Sequence, residues 1–302
     1  VKTILPRMVS LHEVALRDGI QNEKVIVSTE EKIKLIDRLA DCGIRQIEVS
    51  SFVNPRLVPQ MADAEDLWKK IKRRDGVRFS ALILSEKGLD RAIQCKVPHV
   101  GIFVSASETH SKKNSNKTIS EAFDEALRLI LKARSVGMEV RAGVMNSFGC
   151  VYEGRIPVEK VTALVNRYLE AGPDEICLAD SSGLGNPFQV KDVLQRVKSI
   201  TGNMPLALHL HNTRGAGLAN LFSALEEGID SFDTSLGGLG GCPFIAGARG
   251  NISTEDTVSM LHEMGIETGI DLDALIQASL DFEKVMGQTF PAMVSHLCGA
   301  KG

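Results

Sequence analysis

Short apolar runs rich in β-branched residues alternate with longer amphipathic segments along the whole chain. The runs predict strands at 8–14 (MVSLHEV), 44–50 (IRQIEVS), 78–84 (RFSALIL) and 97–104 (VPHVGIFV). Four more fall at 138–145 (MEVRAGVM), 174–179 (DEICLA), 205–210 (PLALHL) and 229–236 (IDSFDTSL). Between them lie helical patterns such as TEEKIKLIDRLADCG at 29–43. Ser28 or Thr29 is placed to cap it, Glu30 and Glu31 suit the positive end of its dipole, and Gly43 ends it. The segment at 120–137 repeats that grammar, with Ser120 at its start and Gly137 at its end. Eight strand-then-helix units predict an α/β protein, a parallel (β/α)8 TIM barrel. The rival, an open doubly wound sheet, lacks support because no GxGxxG follows the first strand. The segment at 271–288 reads as an additional C-terminal helix that caps one end. With no linker or low-complexity run, residues 1–302 are expected to form one domain.

Composition narrows the classes of partner. The chain has 302 residues, a formal net charge of −3 and six widely spaced cysteines with no CxxC pair. A near-neutral chain has no overall attraction for nucleic acid or an anionic membrane, so an anionic ligand must be held by local charge. Cys42, Cys95, Cys150, Cys177, Cys242 and Cys298 read as reduced thiols. No apolar run reaches the roughly 18 residues of a membrane span, and VKTILPRMVSLHEV shows no signal-peptide core. The expectation is a cytoplasmic protein.

In such a barrel the loops after the strands build the site, which sorts the polar residues. Arg17 and Asp18 follow the first strand, Glu48 ends the second, and Ser105, Ser107 and Glu108 follow the fourth. Asn146 follows the fifth, Asp180 the sixth, and His209 and His211 close the seventh. Residues i and i+2 of a strand share a face, so both imidazoles of His209-Leu210-His211 can address one ion. The alternative is two hydrogen-bonded core histidines. Asp18 and Asn251 would add oxygen ligands, a mixed set that suits Mg²⁺, Mn²⁺ or Co²⁺ and also admits Zn²⁺. Arg17-Asp18 is either a surface ion pair or, beside a metal, a donor fork for a developing oxyanion. Glu48, between Ile47 and Val49, needs a partner, and Arg17 is a candidate. Asp180, after the apolar ICLA, is open to the same argument. The glycine-rich 237–251 stretch is not a phosphate loop, because no GK[ST] follows, and it reads as a lid. Within it Cys242 is an inert thiol or an acid–base group. Lys112 and Lys113 are a solvated pair or a phosphate contact.

VALRDGIQNEK (14–24), IEVSSFVNPRLVPQMAD (47–63), SASETHSKKN (105–114), HLHNTRGAGLAN (209–220) and GGLGGCPFIAGARGNISTED (237–256) together resemble the 3-hydroxy-3-methylglutaryl-CoA lyases, in order and over nearly the whole chain. The resemblance implies a metal-dependent barrel, with Mg²⁺ or Mn²⁺, that cleaves a 3-hydroxyacyl-CoA to acetyl-CoA and a keto acid, as in leucine degradation. It implies Asp18, His209, His211 and Asn251 as metal ligands, Arg17 as enolate stabiliser, Cys242 in proton transfer and Glu48 as a supporting carboxylate. Asp18 or a histidine would act as the base, and Lys112 and Lys113 would contact CoA. A homo-oligomer is open. The family pattern implies other residues at Leu16, at Val144-Met145-Asn146 and at Asn212-Thr213-Arg214. Asn146, Asp180 and Arg214 are therefore expected to select the substrate, with citramalyl-CoA or a longer branched 3-hydroxyglutaryl-CoA as alternatives. A condensing synthase of the same superfamily and a non-catalytic metal-binding barrel are the other readings. The synthases usually carry further C-terminal domains, which this length is not expected to hold.

Overall fold

The computed structural model describes residues 5–241 and 250–298. Eight parallel strands close into a barrel: β1 (Ser10–Glu13), β2 (Gln46–Ser51), β3 (Arg78–Ile83), β4 (His99–Ser105), β5 (Glu139–Met145), β6 (Glu175–Asp180), β7 (Leu206–Leu210) and β8 (Ser231–Thr234). Each pairs with its neighbour in sequence, and β8 closes on β1 with Ser10 opposite Ser231 and Glu13 opposite Thr234. All eight coincide with the expected runs. The first is shorter than its apolar stretch, because Val14 already enters a turn and Met8 makes only an isolated bridge to Glu267.

The helices are α1 (Thr29–Asp41), α2 (Ala64–Lys70), α3 (Glu86–Gln94), α4 (Glu108–Ser115), α5 (Ile119–Ser135), α6 (Val158–Ala171), α7 (Pro187–Thr201), α8 (Gly217–Glu226), α9 (Thr254–Glu263), α10 (Leu272–Met286) and α11 (Met293–Cys298). Ser28 caps α1 by accepting from Glu31 N–H at 3.2 Å. The cap of α5 is Thr118 instead of Ser120. Its hydroxyl accepts from Glu121 N–H while the Glu121 carboxylate accepts from Thr118 N–H, a reciprocal arrangement that Ser120 cannot make. The helices bury Leu35, Ile36 and Leu39 of α1, Leu129 and Ile130 of α5 and their counterparts against the outer face of the barrel.

The additional helix forms, but it covers neither end. At its start Asp271 N–H donates to the Cys42 carbonyl beneath the barrel. Just beyond its end Phe290 packs on Gly237 above β8. Thus α10 runs up the outer wall beside α1 and α9, with Arg38 pairing Asp281 at 2.8 Å. Its apolar stripe (Leu275, Ile276, Phe282) has a side of the barrel to cover. Among the described residues no helix is long and apolar enough to cross a membrane.

Candidate active site at the C-terminal mouth of the barrel

After β1 the backbone makes one wide π-helical turn over Ala15–Gly19, with Gly19 N–H donating to Val14 C=O and Ile20 N–H to Ala15 C=O. Such turns are uncommon and concentrate at functional sites. This one places Arg17 and Asp18 on the mouth, both buried. Its anchor is Glu13, whose carboxylate accepts from Ala15 N–H at 2.9 Å, Leu236 N–H at 2.8 Å and Thr254 Oγ1 at 2.6 Å. One carboxylate therefore ties β1, the segment after β8 and the start of α9 together. Full burial pushes its pKa up to about 7, against the pull of those donors. Neighbouring Glu255 accepts from Gly237 N–H at 2.9 Å, and burial pushes it up to about 8.

Arg17 donates through Nε to Glu48 and through NH1 to Asp18 Oδ1 at 2.5 Å. Glu48 stands mid-strand, not at the strand end as expected, because β2 continues to Ser51. Burial opposes the charge on Arg17, but Glu48 and Asp18 outweigh it and push the guanidinium pKa above its ordinary value. Burial likewise opposes charge on Asp18, but Arg17, His211 and His209 hold its pKa well below the usual carboxylate range.

His209 and His211 are buried, and their Nε2 atoms lie 2.9 Å apart. Asp18 Oδ2 lies 3.6 Å from His211 Nε2 and 3.9 Å from His209 Nε2. Among the described residues these three form the one group of His, Cys, Asp and Glu with the spacing to hold a metal ion. Asn251 reaches them because the chain returns beside β7: Ile252 N–H donates to Leu210 C=O and Asn212 N–H to Gly250 C=O. Its Nδ2 donates to Asp18 Oδ2 at 2.9 Å and to Leu239 C=O at 3.0 Å, while its buried Oδ1 has no partner.

A divalent cation fits this set on three counts. Ligands about 2.1 Å from one ion sit about 3.0 Å apart at right angles and up to about 4.2 Å apart across it, a span that matches the observed separations of 2.9, 3.6 and 3.9 Å. The orphaned Asn251 Oδ1 is an oxygen donor that otherwise bears an unmet desolvation cost. Each buried arginine faces two carboxylates, Arg17 with Asp18 and Glu48, Arg141 with Asp233 and Glu175, an excess of negative charge that a cation offsets.

A cavity of about 160 Å³ opens over these residues, walled by Leu82, Phe103, Met145 and Gln21. Phe103 lies flat there because its register partner is Gly143, where a Cβ would come within 2.1 Å of the ring. The cavity continues through Leu84, Asn114 and Met145 into a second cleft of about 430 Å³ lined by Lys113 and Lys117. Lys113 also sits over the Tyr152 ring, whereas Lys112 points to Glu108 at 3.5 Å.

Three expected substrate-selecting residues are not brought to the cavity wall. Asn146, at φ 57°, is fully buried behind it, donating to Ser105 Oγ and accepting from Ser182 Oγ. Asp180 is buried and accepts from Leu184 and Gly185 N–H at 3.0 Å, organising the loop after β6; burial raises its pKa. Arg214 is exposed on the loop after β7. Cys242 and most of the expected lid lie outside the described residues, as does the side chain of Cys298.

The barrel interior beneath the histidines holds a buried charged network that was not expected from the sequence. Asp233 Oδ2 accepts from His209 Nδ1 at 3.1 Å, and its Oδ1 accepts from Arg141 NH1 at 2.7 Å. The same NH1 lies 2.7 Å from His12 Nδ1, and Arg141 Nε pairs with Glu175 at 2.7 Å.

A (β/α)8 barrel with a charged, cation-ready cluster at its C-terminal mouth has the build of a barrel enzyme. A family model described as HMGL-like matches residues 8–281, and the chain belongs to that family. It is 41% identical over 287 residues to the hydroxymethylglutaryl-CoA lyase YngG of Bacillus subtilis (strain 168), covering 95% of this chain and 96% of that one. Identity is 43% over 274 residues to the mitochondrial hydroxymethylglutaryl-CoA lyase of Homo sapiens, with 91% and 84% covered. An HMG-CoA lyase from Acinetobacter baumannii, solved with coenzyme A and 3-methylmalate, superposes with a TM-score of 0.92 at 40% identity, covering 96% of this chain and 95% of that one.

Proposed function

We propose that this chain cleaves 3-hydroxy-3-methylglutaryl-CoA to acetyl-CoA and acetoacetate with a bound divalent cation. The observation that carries the reading is the convergence of Arg17, Asp18, His209, His211 and Asn251 on one buried cluster beneath a cavity. Asp18, His209, His211 and Asn251 would hold the cation, Mg²⁺ or Mn²⁺ by the donor set. Bound there, it would supply positive charge that makes the substrate's tertiary hydroxyl more acidic.

The protein's own groups supply the rest. Asp18 or a histidine takes the hydroxyl proton. The carbon–carbon bond between C2 and C3 then breaks, its electron pair passing to the thioester as an enolate while C3 becomes the ketone of acetoacetate. Arg17, its fork already fixed by Glu48 and Asp18, donates to the enolate oxygen. A proton delivered to carbon completes acetyl-CoA, and Cys242 on the 237–251 segment is the donor we propose, with that segment as a lid that excludes water. Lys113, lining the adjoining cleft, is the better placed of the two lysines to meet CoA phosphates. Residues 1–302 then act as one catalytic domain. The free cysteines Cys42, Cys95, Cys150 and Cys177 suit a reducing compartment, and the cytoplasm is the location we propose.

The test is to offer 3-hydroxy-3-methylglutaryl-CoA, citramalyl-CoA and longer branched analogues side by side and identify both products by mass spectrometry. Acetyl-CoA with acetoacetate, formed fastest from the first, is the expected result. Faster cleavage of another thioester reassigns the substrate, and cleavage of none overturns the proposal.

A further inference from the structure

We propose that Asp233, held by Arg141, is a positioning residue that fixes the tautomer of His209 and thereby which of its nitrogens faces the cation site. This rests on the reading of Asp18, His209 and His211 as metal ligands.

The constraint begins at the barrel wall and passes inward. Asp233 is 1% exposed and Arg141 3%, so neither can draw on water for hydrogen bonds. Arg141 has only donors to offer, and it occupies Asp233 Oδ1 at 2.7 Å. An ionised carboxylate only accepts, so the 3.1 Å contact at Oδ2 requires the proton on His209 Nδ1. With that proton placed, Nε2 of neutral His209 carries the lone pair, and Nε2 is the atom 2.9 Å from His211 Nε2 and 3.9 Å from Asp18. The two histidines differ here. His211 Nδ1 is buried without a partner, so nothing comparable fixes its ring. In the metal-free protein His211 must then donate its own Nε2–H to His209 Nε2, because two lone pairs cannot face each other at 2.9 Å. A histidine ligand whose other nitrogen donates to a carboxylate is oriented and made more basic by it.

Asp233→Asn separates this role from simple packing. Arg141 NH1 still needs an acceptor, so the carbonyl oxygen of the substituted amide turns to Arg141 and its NH₂ group turns to His209 Nδ1. That nitrogen must then accept, the proton moves to Nε2, and the cation-facing lone pair is lost although the side chain keeps its shape.

Two measurements on the full chain test this. In metal-free wild-type protein with ¹⁵N-labelled histidine, long-range ¹H–¹⁵N spectra should show His209 as the Nδ1–H tautomer and His211 as the Nε2–H tautomer. In D233N the His209 proton should move to Nε2, and the Mn²⁺ dissociation constant, read by electron paramagnetic resonance, should rise about 10- to 100-fold. His209 found as Nε2–H in the wild type overturns the proposal, and so does a folded D233N that binds Mn²⁺ within twofold of wild type. If D233N does not fold, the wild-type tautomer alone decides. Failure of the lyase reading is distinguishable: a chain that cleaves no thioester but shows both signatures keeps this inference and loses that activity.

Discussion

Arg17 is where charge development and structure meet most directly. It is buried, its fork is filled on one side by Glu48 and Asp18, and it borders the cavity. Arg17→Gln keeps a donor but loses the charge, and kcat is expected to fall about 10²- to 10³-fold with a much smaller change in KM; steady-state kinetics check this. Glu13 makes a second residue-scale prediction. Its pKa rises on folding from 4.5 to about 7, and that of Glu255 to about 8. The folded state therefore binds these protons more tightly than the unfolded state does. Their stabilising effect is fully present below pH 4.5 and is lost as pH climbs through about 7 and about 8. Melting curves from about pH 6 to about pH 9 should show Tm falling. Glu13→Gln, which retains a carbonyl acceptor for Ala15 and Leu236 N–H, should flatten that fall; a wild-type Tm rising across the range would contradict the assignment. Glu48 was legible in sequence because a carboxylate inside an apolar run demands a partner. The same signal stands at Arg141, between Val140 and Ala142, and at Asp233, beside Phe232. What a single strand does not carry is the register around the barrel, which decides that these two meet each other and His209.

At the scale of elements, the turn after β1 and the segments flanking 242–249 do the positioning. Gly237 sits at φ 66°, and a Cβ there would lie 2.3 Å from Phe290 Cδ2. Gly237→Ala should destabilise the fold by roughly 2 kcal/mol or more and loosen the root of the proposed lid. Gly265→Ala, at φ 71° with open space around it, should cost only the left-handed penalty of about 1–2 kcal/mol. Thermal denaturation of the two variants makes the comparison; equal losses would mean that the Phe290 contact contributes nothing. The strands could be read because they are buried on both faces and so form near-continuous apolar runs, and α1, α5 and α10 because each buries a single face. The turn over Ala15–Gly19 could not, since VALRDGI carries no period of its own, and the anchor that shapes it, Glu13, reaches to Leu236 and Thr254. Similarly, α10 was legible as a helix, but its place on the wall follows from contacts at Cys42 and Gly237, far away in sequence.

For the whole molecule, closure of β8 on β1 brings Asp18, from one end of the chain, to Asn251, from the other. Order along the chain could suggest this convergence but not the distances. Those distances make the cation the centre of the functional account: two imidazoles and a carboxylate held ionised come together, and Asn251, whose amide oxygen has no partner, bonds that carboxylate through Nδ2. The most direct measurement is acetoacetate formation from 3-hydroxy-3-methylglutaryl-CoA by chelator-stripped protein titrated with Mn²⁺. The expected result is no product from the stripped protein and activity that saturates at one ion per chain. Undiminished cleavage by the stripped protein, or none at any Mn²⁺ level, would contradict it.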